Sequence, residues 1–560
     1  MSVWSGAGVY RWESSSSSAH RNSEPTLVGF WGRIAGRARL AREFGLSSVA
    51  TDSEVLNAAF VRRGAEGCAE VSGTATWVLE DRRRGHLLAV RDRLGAEALY
   101  YARVGSEILL SKSVASILDA LPTAASVRLE ALAEHLCGDV PESGYTFWAG
   151  VHCVPPGHFL RVTDGGLELH RYWRVEPQPV LRLRDAGAYG EAVAEAITRV
   201  ALDYVPSGPT AVALSSGLDS TSLAAALVRG NAAERLSAFV WTAPELPEAD
   251  EAAGGRAAAS ALGLPVREIR VDDLWPLRVP LIGQMRRDGP LCNIYENLWN
   301  RTYRLARSEG IEAIFTGGGG DELFGVNCYS YPDLLLTGRW LRLLREMRGH
   351  LAWSPRGLVG MLRSMLWAPL RTWAYAPTRK EVVPWLREPF RSERESSVVP
   401  TTRFALLPGR VQRMRILRNL PFAERLVELG QRAAAMGVEL LHPLLDHRLI
   451  ELAASLPTEQ TFRAGEHKAV LREAFRAQLP DSVLRRRGKT YPTTIAWRGL
   501  RERGVDQALD LMTDMRATDL GLVDETMLRS EYQAFLAGRH SRGGTFWSAL
   551  TLEAWLRSCH

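Results

Sequence analysis

The sequence predicts two regions of different class: a β-rich α+β region, then an α/β region built on a doubly wound parallel sheet. Three observations predict this. Between Glu54 and Tyr172, short runs of β-favouring residues alternate with polar or Gly-containing turns. From about Arg184 the pattern changes to alternating helices and buried strands, as in a parallel sheet covered on both faces. Within that second region the apolar run Ala211 to Leu214 ends in small residues, after which Leu223, Leu227 and Val228 share one helical face before Gly230. The expected domains are residues 1–180 and 181–560.

Taken in order, Ser14 to Ser18 reads as a flexible surface loop. Strands are expected at Ala75 to Leu79, His86 to Val90 and Glu107 to Leu110, a helix at Leu129 to Leu136, and a turn leading into a strand at Val154 to Val162. In the second region strands are expected at Thr210 to Leu214, Leu236 to Trp241, Val266 to Val271 and Ile311 to Phe315. Helices are expected at Ala249 to Leu262 and around Asn297 to Ser308.

The composition, 46% hydrophobic and 24% charged, is that of a globular chain. A net charge of +6 is modest over 560 residues and does not by itself call for nucleic acid. The six cysteines form no C-x-x-C pair and read as reduced thiols of a cytoplasmic protein. No membrane span and no signal segment are expected.

The turn Ser215-Ser216-Gly217-Leu218-Asp219-Ser220 opens a helix, where unpaired N–H groups and hydroxyls suit a phosphate. The plain alternative is an ordinary helix N-cap. Asp219 would repel a phosphate unless a cation such as Mg2+ lay between them. The fourth strand runs into Thr316-Gly317-Gly318-Gly319-Gly320-Asp321-Glu322-Leu323-Phe324. Four glycines in a row cost folding entropy unless bare backbone is needed, and Asp321 then stands as a second carboxylate for the same Mg2+. Two such loops at neighbouring strand ends point to an ATP site. No G-x-x-x-x-G-K-[ST] occurs, which speaks against a Walker-type NTPase.

The pair Ser-x-Gly-Leu-Asp-Ser and Gly-x-Gly-Gly-Asp-Glu-Leu-Phe resembles the synthetase half of the asparagine synthetase family. Gly437-Val438-Glu439, Pro443 to Arg448 and Lys468 to Phe475 carry the resemblance further. Arg91-Asp92-Arg93-Leu94-Gly95, Val154-Pro155-Pro156-Gly157-His158 and Tyr172-Trp173 resemble that family's glutaminase half. The resemblance implies an N-terminal-nucleophile-hydrolase-like domain followed by an ATP pyrophosphatase domain of the adenine-nucleotide-hydrolase type. It also implies an ATP-dependent, AMP-forming carbon–nitrogen ligase that works through an acyl-adenylate. By the same resemblance Ser215, Ser216, Gly217, Leu218, Asp219 and Ser220 would hold pyrophosphate, and Leu214 and Trp241 would flank adenine or ribose. Thr316 and Gly317 would close on the nucleotide, and Asp219 and Asp321 would bind Mg2+. Ser216 stands where the family usually has glycine, which is tolerable if its backbone is not left-handed. Lys489, with Arg487 as fallback, would stabilise the oxyanion of the amide-forming step; a solvated basic loop is the plain alternative.

The family's glutaminases use a cysteine directly after the initiator Met, whereas this sequence reads Met1-Ser2-Val3 and lacks the Asn-Gly-Glu segment that holds glutamine. A serine hydroxyl is a weaker nucleophile than a thiol. The expectation is an inactive glutaminase-like half. β-Lactam synthetases carry a base-assisting tyrosine on the glycine-rich loop, where Gly318 stands here. The sequence therefore most resembles lasso peptide macrolactam synthetases, whose attacking α-amine is partly neutral near pH 7 to 8. That branch implies a precursor peptide as substrate, with a leader-binding protein and a leader protease as candidate partners. A β-lactam synthetase-like enzyme and an ammonia-dependent asparagine synthetase remain alternatives within the family. An RNA-modifying or RNA-binding protein is the alternative outside it. Between Trp340 and Arg391, tryptophans are interleaved with arginines and with leucines at helical spacing. Three readings stand: helix core with a solvated face, a peptide-gripping surface, or a membrane-surface helix that Pro355 and Pro369 would interrupt.

Overall fold

The computed structural model describes residues 3–4, 8–12, 25–81, 84–139, 144–325, 329–352, 357–375, 378–379, 381–396, 398–399, 407–418, 423–486, 490, 492–539 and 543–559. The expected Ser14 to Ser18 loop lies outside them.

The first half holds two five-stranded antiparallel sheets. One runs in the order Val3–Trp4, Tyr10–Trp12, Glu107–Ser111, Tyr100–Val104, Val151–Cys153. The other runs Gly166–Arg171, His158–Thr163, His86–Val90, Thr76–Asp81, Thr26–Trp31. Side-chain alternation stacks them. Val78, Leu87 and Ala89 point into a core shared with Tyr10, Ile108 and Leu110 of the first sheet. Trp77, Leu79, Leu88 and Val90 point the other way, onto Leu40, Val55 and Leu56 of the helices Arg37–Glu43 and Asp52–Arg63. The helix Asp52–Arg63 corrects the reading of short strands from Glu54 onward. Thr51 and Glu54 close a reciprocal capping box that starts it.

The three motifs that mark this half form one knot. The Arg91 guanidinium, buried, donates to the carbonyls of Glu97, Gly95 and Val154 at 2.8 to 2.9 Å. Asp92 accepts from the N–H groups of Leu94, Ala96 and Glu97, its own carbonyl accepts from Gly157, and the Tyr172 hydroxyl donates to the Arg91 carbonyl.

The second half carries a five-stranded parallel sheet in the order Val266–Arg270, Leu236–Thr242, Thr210–Ala213, Ala313–Phe315, Glu439–Leu441. Four of these strands are the expected ones; Glu439–Leu441 is the fifth. Alternate residues face opposite layers: Val212, Val240 and Phe315 meet the helices Ala186–Asp203 and Leu218–Arg229 on one side. Ala211, Phe239 and Ile314 meet the helix Glu296–Ser308 on the other. Both faces are covered, as the apolar strands require.

The C-terminal helix Gly543–Ser558 does not rest on this sheet. It lies against the helix Leu129–Leu136 of the first half, where Trp555 meets Trp148 and Phe147 with ring centroids 5.5 and 5.8 Å apart. Both indole N–H groups find carbonyls, Trp148 on Arg287 at 2.7 Å and Trp555 on Arg286 at 2.9 Å. The two halves thus share one core. Trp385 is part of it, stacked on Phe546, whereas Trp340, Trp367 and Trp373 are exposed. Among the described residues Cys137, Cys153, Cys292 and Cys559 form no disulfide with one another.

Candidate active site

Strand Thr210–Ala213 ends where the Leu214 N–H donates to the Phe239 carbonyl, and the Leu214 side chain turns into the core with Leu218. Only the main chain of these two residues is left for the cleft. The next turn folds on its own hydroxyls. Ser215 and Ser220 oxygens lie 2.8 Å apart, Ser220 Oγ accepts the Ser215 N–H, and Ser215 Oγ accepts the Gly217 N–H at 3.0 Å. Ser216 has no left-handed backbone, so the condition for a serine there is met. Its hydroxyl is buried with no hydrogen-bond partner among the described residues. Such an unmet donor is costly unless a ligand or water completes it. Gly254 explains the tightness: a Cβ there would collide with the Ser216 side chain, so the helix Ala252–Ala261 presses on the turn. No side chain caps the helix that begins at Leu218, which leaves its N-terminal N–H groups to an anion.

The glycine-rich loop leaves the neighbouring strand, Thr210 pairing with Ala313 in parallel, so both loops emerge on one edge of the sheet. Thr316 is pinned on two sides, its N–H on the Leu441 carbonyl and its hydroxyl against His442 Nδ1 at 2.5 Å. Enclosure pushes the His442 pKa down to about 4, so the ring is neutral at pH 7. A Cβ on Gly317 would stand 2.6 Å from the Ser220 nitrogen, one on Gly320 would overlap the Asp219 carboxylate, and Gly319 combines φ +95° with Leu445 packed against it. Gly318 differs, its nearest neighbours, His442 and Thr316, being 3.4 Å away. Gly320→Ala is therefore expected to lower both melting temperature and pyrophosphate exchange, while Gly318→Ala leaves the fold intact. Equal melting temperatures for the two variants would count against this packing.

Close packing of Gly320 on Asp219 brings the two carboxylates together. Lys468 Nζ meets Asp219 and lies 2.7 Å from Asp321. Lys468 is buried, at φ 56°, between the hairpin Phe462–His467 and the helix Ala469–Ala474. Its ammonium shows that the two carboxylates converge on one cation. Burial, with Asp321 and Asp219 adding repulsion, raises the Glu322 pKa. Among the described residues no cluster of three or more His, Cys, Asp or Glu could hold a metal by itself. The protein can supply two carboxylates to Mg2+, whose preferred octahedron phosphate oxygens and water would complete. The residues present fit that ion on those terms. The sequence marks Lys468 only as the first residue of the segment Lys468 to Phe475 and gives it no role of its own. Nothing in its local sequence signals that the hairpin before it points it at Asp219.

Trp241 stands near the end of the strand beside the one that runs into the Ser215–Ser220 turn, its indole N–H on Thr302 Oγ1 at 3.0 Å and its ring edge-on to Trp299. Lys489 and Arg487 lie outside the described residues. Their flanks run past the site: the Arg486 carbonyl accepts from Arg472, and Arg486 pairs with the Thr490 hydroxyl. Burial pushes the Glu251 pKa up to about 7, opposed by the positive charge of Arg486. Glu251 stands just before the helix that presses on Ser216, without a capping hydrogen bond, so Arg486 lies near that end of the helix.

Between the halves lies a cavity of about 1050 Å3 lined by Arg33, Arg37, Lys112, Asp203, Gln431 and Glu439, among others. A second, of about 300 Å3, shares Ala96, Gly430 and Glu439 with it and reaches His442. Arg33 binds Glu439 through two nitrogens across this boundary.

Residues 34–173 match the glutamine amidotransferase domain model, and residues 190–557 match the asparagine synthase model. Asparagine synthetase [glutamine-hydrolyzing] 3 of Bacillus subtilis is 24% identical over 484 residues, which is 79% of this chain and 71% of that protein. A putative asparagine synthetase [glutamine-hydrolyzing] of Mycobacterium tuberculosis is 24% identical over 466 residues, 79% of this chain and 70% of its own. Amidase chry2 of Gibberella zeae is 28% identical over 320 residues, 52% of this chain; the match spans 45% of that fungal protein's length. With the asparagine synthase match covering well over half of its length, the chain belongs to the asparagine synthase family, whose members are ATP-dependent carbon–nitrogen ligases.

Proposed function

We propose that the ligase closes the macrolactam ring of a lasso peptide, joining the N-terminal amine of a precursor peptide to one of its own Asp or Glu side chains. One observation carries this reading. Gly318 is exposed and has no side chain, and a Cβ there would meet His442 and Thr316 no closer than 3.4 Å, so the loop leaves space for a peptide and offers no base for the amine. An α-amine with a pKa near 8 needs less help than a more basic amine.

In the first half-reaction the peptide carboxylate attacks the α-phosphorus of ATP. The helix N-terminus at Leu218 and the hydroxyl of Ser216 would receive the leaving pyrophosphate, and Lys468 would add positive charge beside it. Mg2+, held by Asp219 and Asp321, supplies charge neutralisation when bound. In the second half-reaction the amine attacks the acyl carbon and AMP leaves, with Lys489 stabilising the oxyanion. Lys489→Ala should then spare pyrophosphate exchange while slowing amide formation. A loss confined to the exchange step would count against that role.

The test supplies ATP, Mg2+ and candidate peptides encoded near the gene. A product one water lighter than the linear core, formed with AMP, supports the reading, with glutamine failing as amine donor. The cavities that reach from the first half to His442 favour a second reading, an ammonia-dependent asparagine synthetase. Robust asparagine formation from aspartate and ammonia would establish it instead. The leader-binding protein and the leader protease belong to the macrolactam reading alone.

A further inference from the structure

Between residues 334 and 375 the sequence holds seven arginines and one acid, Glu346. Glu346 is buried and spent internally, accepting the Ala464 N–H and facing Arg342. Arg339 and Arg342 pair with Glu459. Of the other five, Arg356 lies outside the described residues, and Arg345, Arg348, Arg363 and Arg371 are all exposed, with no carboxylate partner among the described residues.

Their helices settle part of the sequence reading. Trp340–Leu351 is one helix, and Gly357 to Tyr375 is continuously helical through a π-type turn at Arg363–Trp367 that absorbs Pro369. The inner faces pack together through Leu343, Met361 and Met365, with Tyr331 and Phe462 beneath. The outer faces carry Trp340 (64% exposed), Leu341 (82%), Leu344 (62%), Val359 (79%) and Trp367 (67%) alongside the free arginines.

We infer that this face binds the surface of an anionic membrane. Side chains this exposed are not enclosed by neighbours and make a ridge rather than the lining of a groove that would grip an extended peptide. Large apolar side chains interspersed with unpaired arginines match the boundary between acyl chains and anionic headgroups, where tryptophan also partitions. Uncompensated positive charge selects anionic over neutral lipid. No helix among the described residues is long and apolar enough to cross a membrane, so the attachment is peripheral. The inference is independent of which amine the ligase uses.

The experiment is co-sedimentation of the full-length protein with vesicles of phosphatidylcholine alone or mixed with phosphatidylglycerol. Binding is expected on the mixed vesicles and at least about tenfold less on the neutral ones. It should weaken as salt rises from about 0.1 to about 1 M, where the screening length falls to about 3 Å. Arg345→Glu, Arg348→Glu, Arg363→Glu and Arg371→Glu together should cut binding by at least about a hundredfold, at about one charge's worth of attraction per arginine. Pyrophosphate exchange should persist in that variant and reports that it is folded. Should it fail to fold, the lipid and salt dependence of the wild type still decides. Equal binding to both vesicle types, or no binding to either, overturns the inference. So does capture of a soluble Glu- and Leu-rich peptide by this face in place of vesicles, which would assign the ridge to a protein partner.

Discussion

Asp219→Ala and Asp321→Ala are each expected to lower the formation of AMP and pyrophosphate on the order of a thousandfold or more. The cleft sets no third acidic ligand beside them among the described residues, so each variant removes half of what the protein offers a divalent cation. Lys468 meets both carboxylates, and losing either also leaves this buried ammonium with fewer partners. Because breaking a buried pair costs about 3–5 kcal/mol in unfavourable cases, melting curves must accompany the assay. Asp219→Asn and Asp321→Asn keep the volume and some of the hydrogen bonding while removing the charge. A variant that melts like the wild type and makes no AMP establishes the role. Undiminished turnover in either position would remove that carboxylate from the metal site.

Trp555→Ala is expected to destabilise the protein by about 3–5 kcal/mol, the range for deleting a large buried aromatic side chain. The ring is fully buried, and its removal leaves a void lined by Trp148 and Phe147 of the other half. Because that core is shared, both halves should lose protection together. Limited proteolysis should then release fragments from residues 100–150 and from the C-terminal helices at the same rate. Separate thermal transitions, with only the later one shifted, would show instead that the halves fold independently.

Much of this architecture is legible in the amino-acid pattern, for a physical reason. Strands such as His86–Val90 and Leu236–Thr242 bury most of their residues, so their composition is fixed by packing. The helix Leu129–Leu136 matches its expected bounds because its apolar positions recur at helical spacing. The helix Asp52–Arg63 is hard to tell from the β region around it because its core-facing residues are few, and its capping box is its strong local signal. The strand Glu439–Leu441 has three residues, too few for any periodicity to show. At the site, the two loops announced themselves through glycines and paired acids. Their convergence on Lys468 depends on a hairpin more than a hundred residues downstream of Asp321, a relation carried by tertiary packing alone. The reason for the glycines was only half visible. Gly320 makes way for Asp219, whereas a Cβ on Gly318 would only touch His442 and Thr316 at ordinary contact distance.

The knot around Arg91 and Asp92 bears on what resemblance can report. The bonds these side chains make to Leu94, Gly95, Ala96 and Glu97 shape the loop that follows them, and the bond to Val154 clasps that loop to a distant segment of the first half. A chain that hydrolyses glutamine and one that does not would need that clasp equally. The signature therefore records a shape being kept. Whether this half still handles an amide has to be asked at the groups that would touch one, and a clasp of this kind will go on being recognised long after such chemistry has been lost or exchanged.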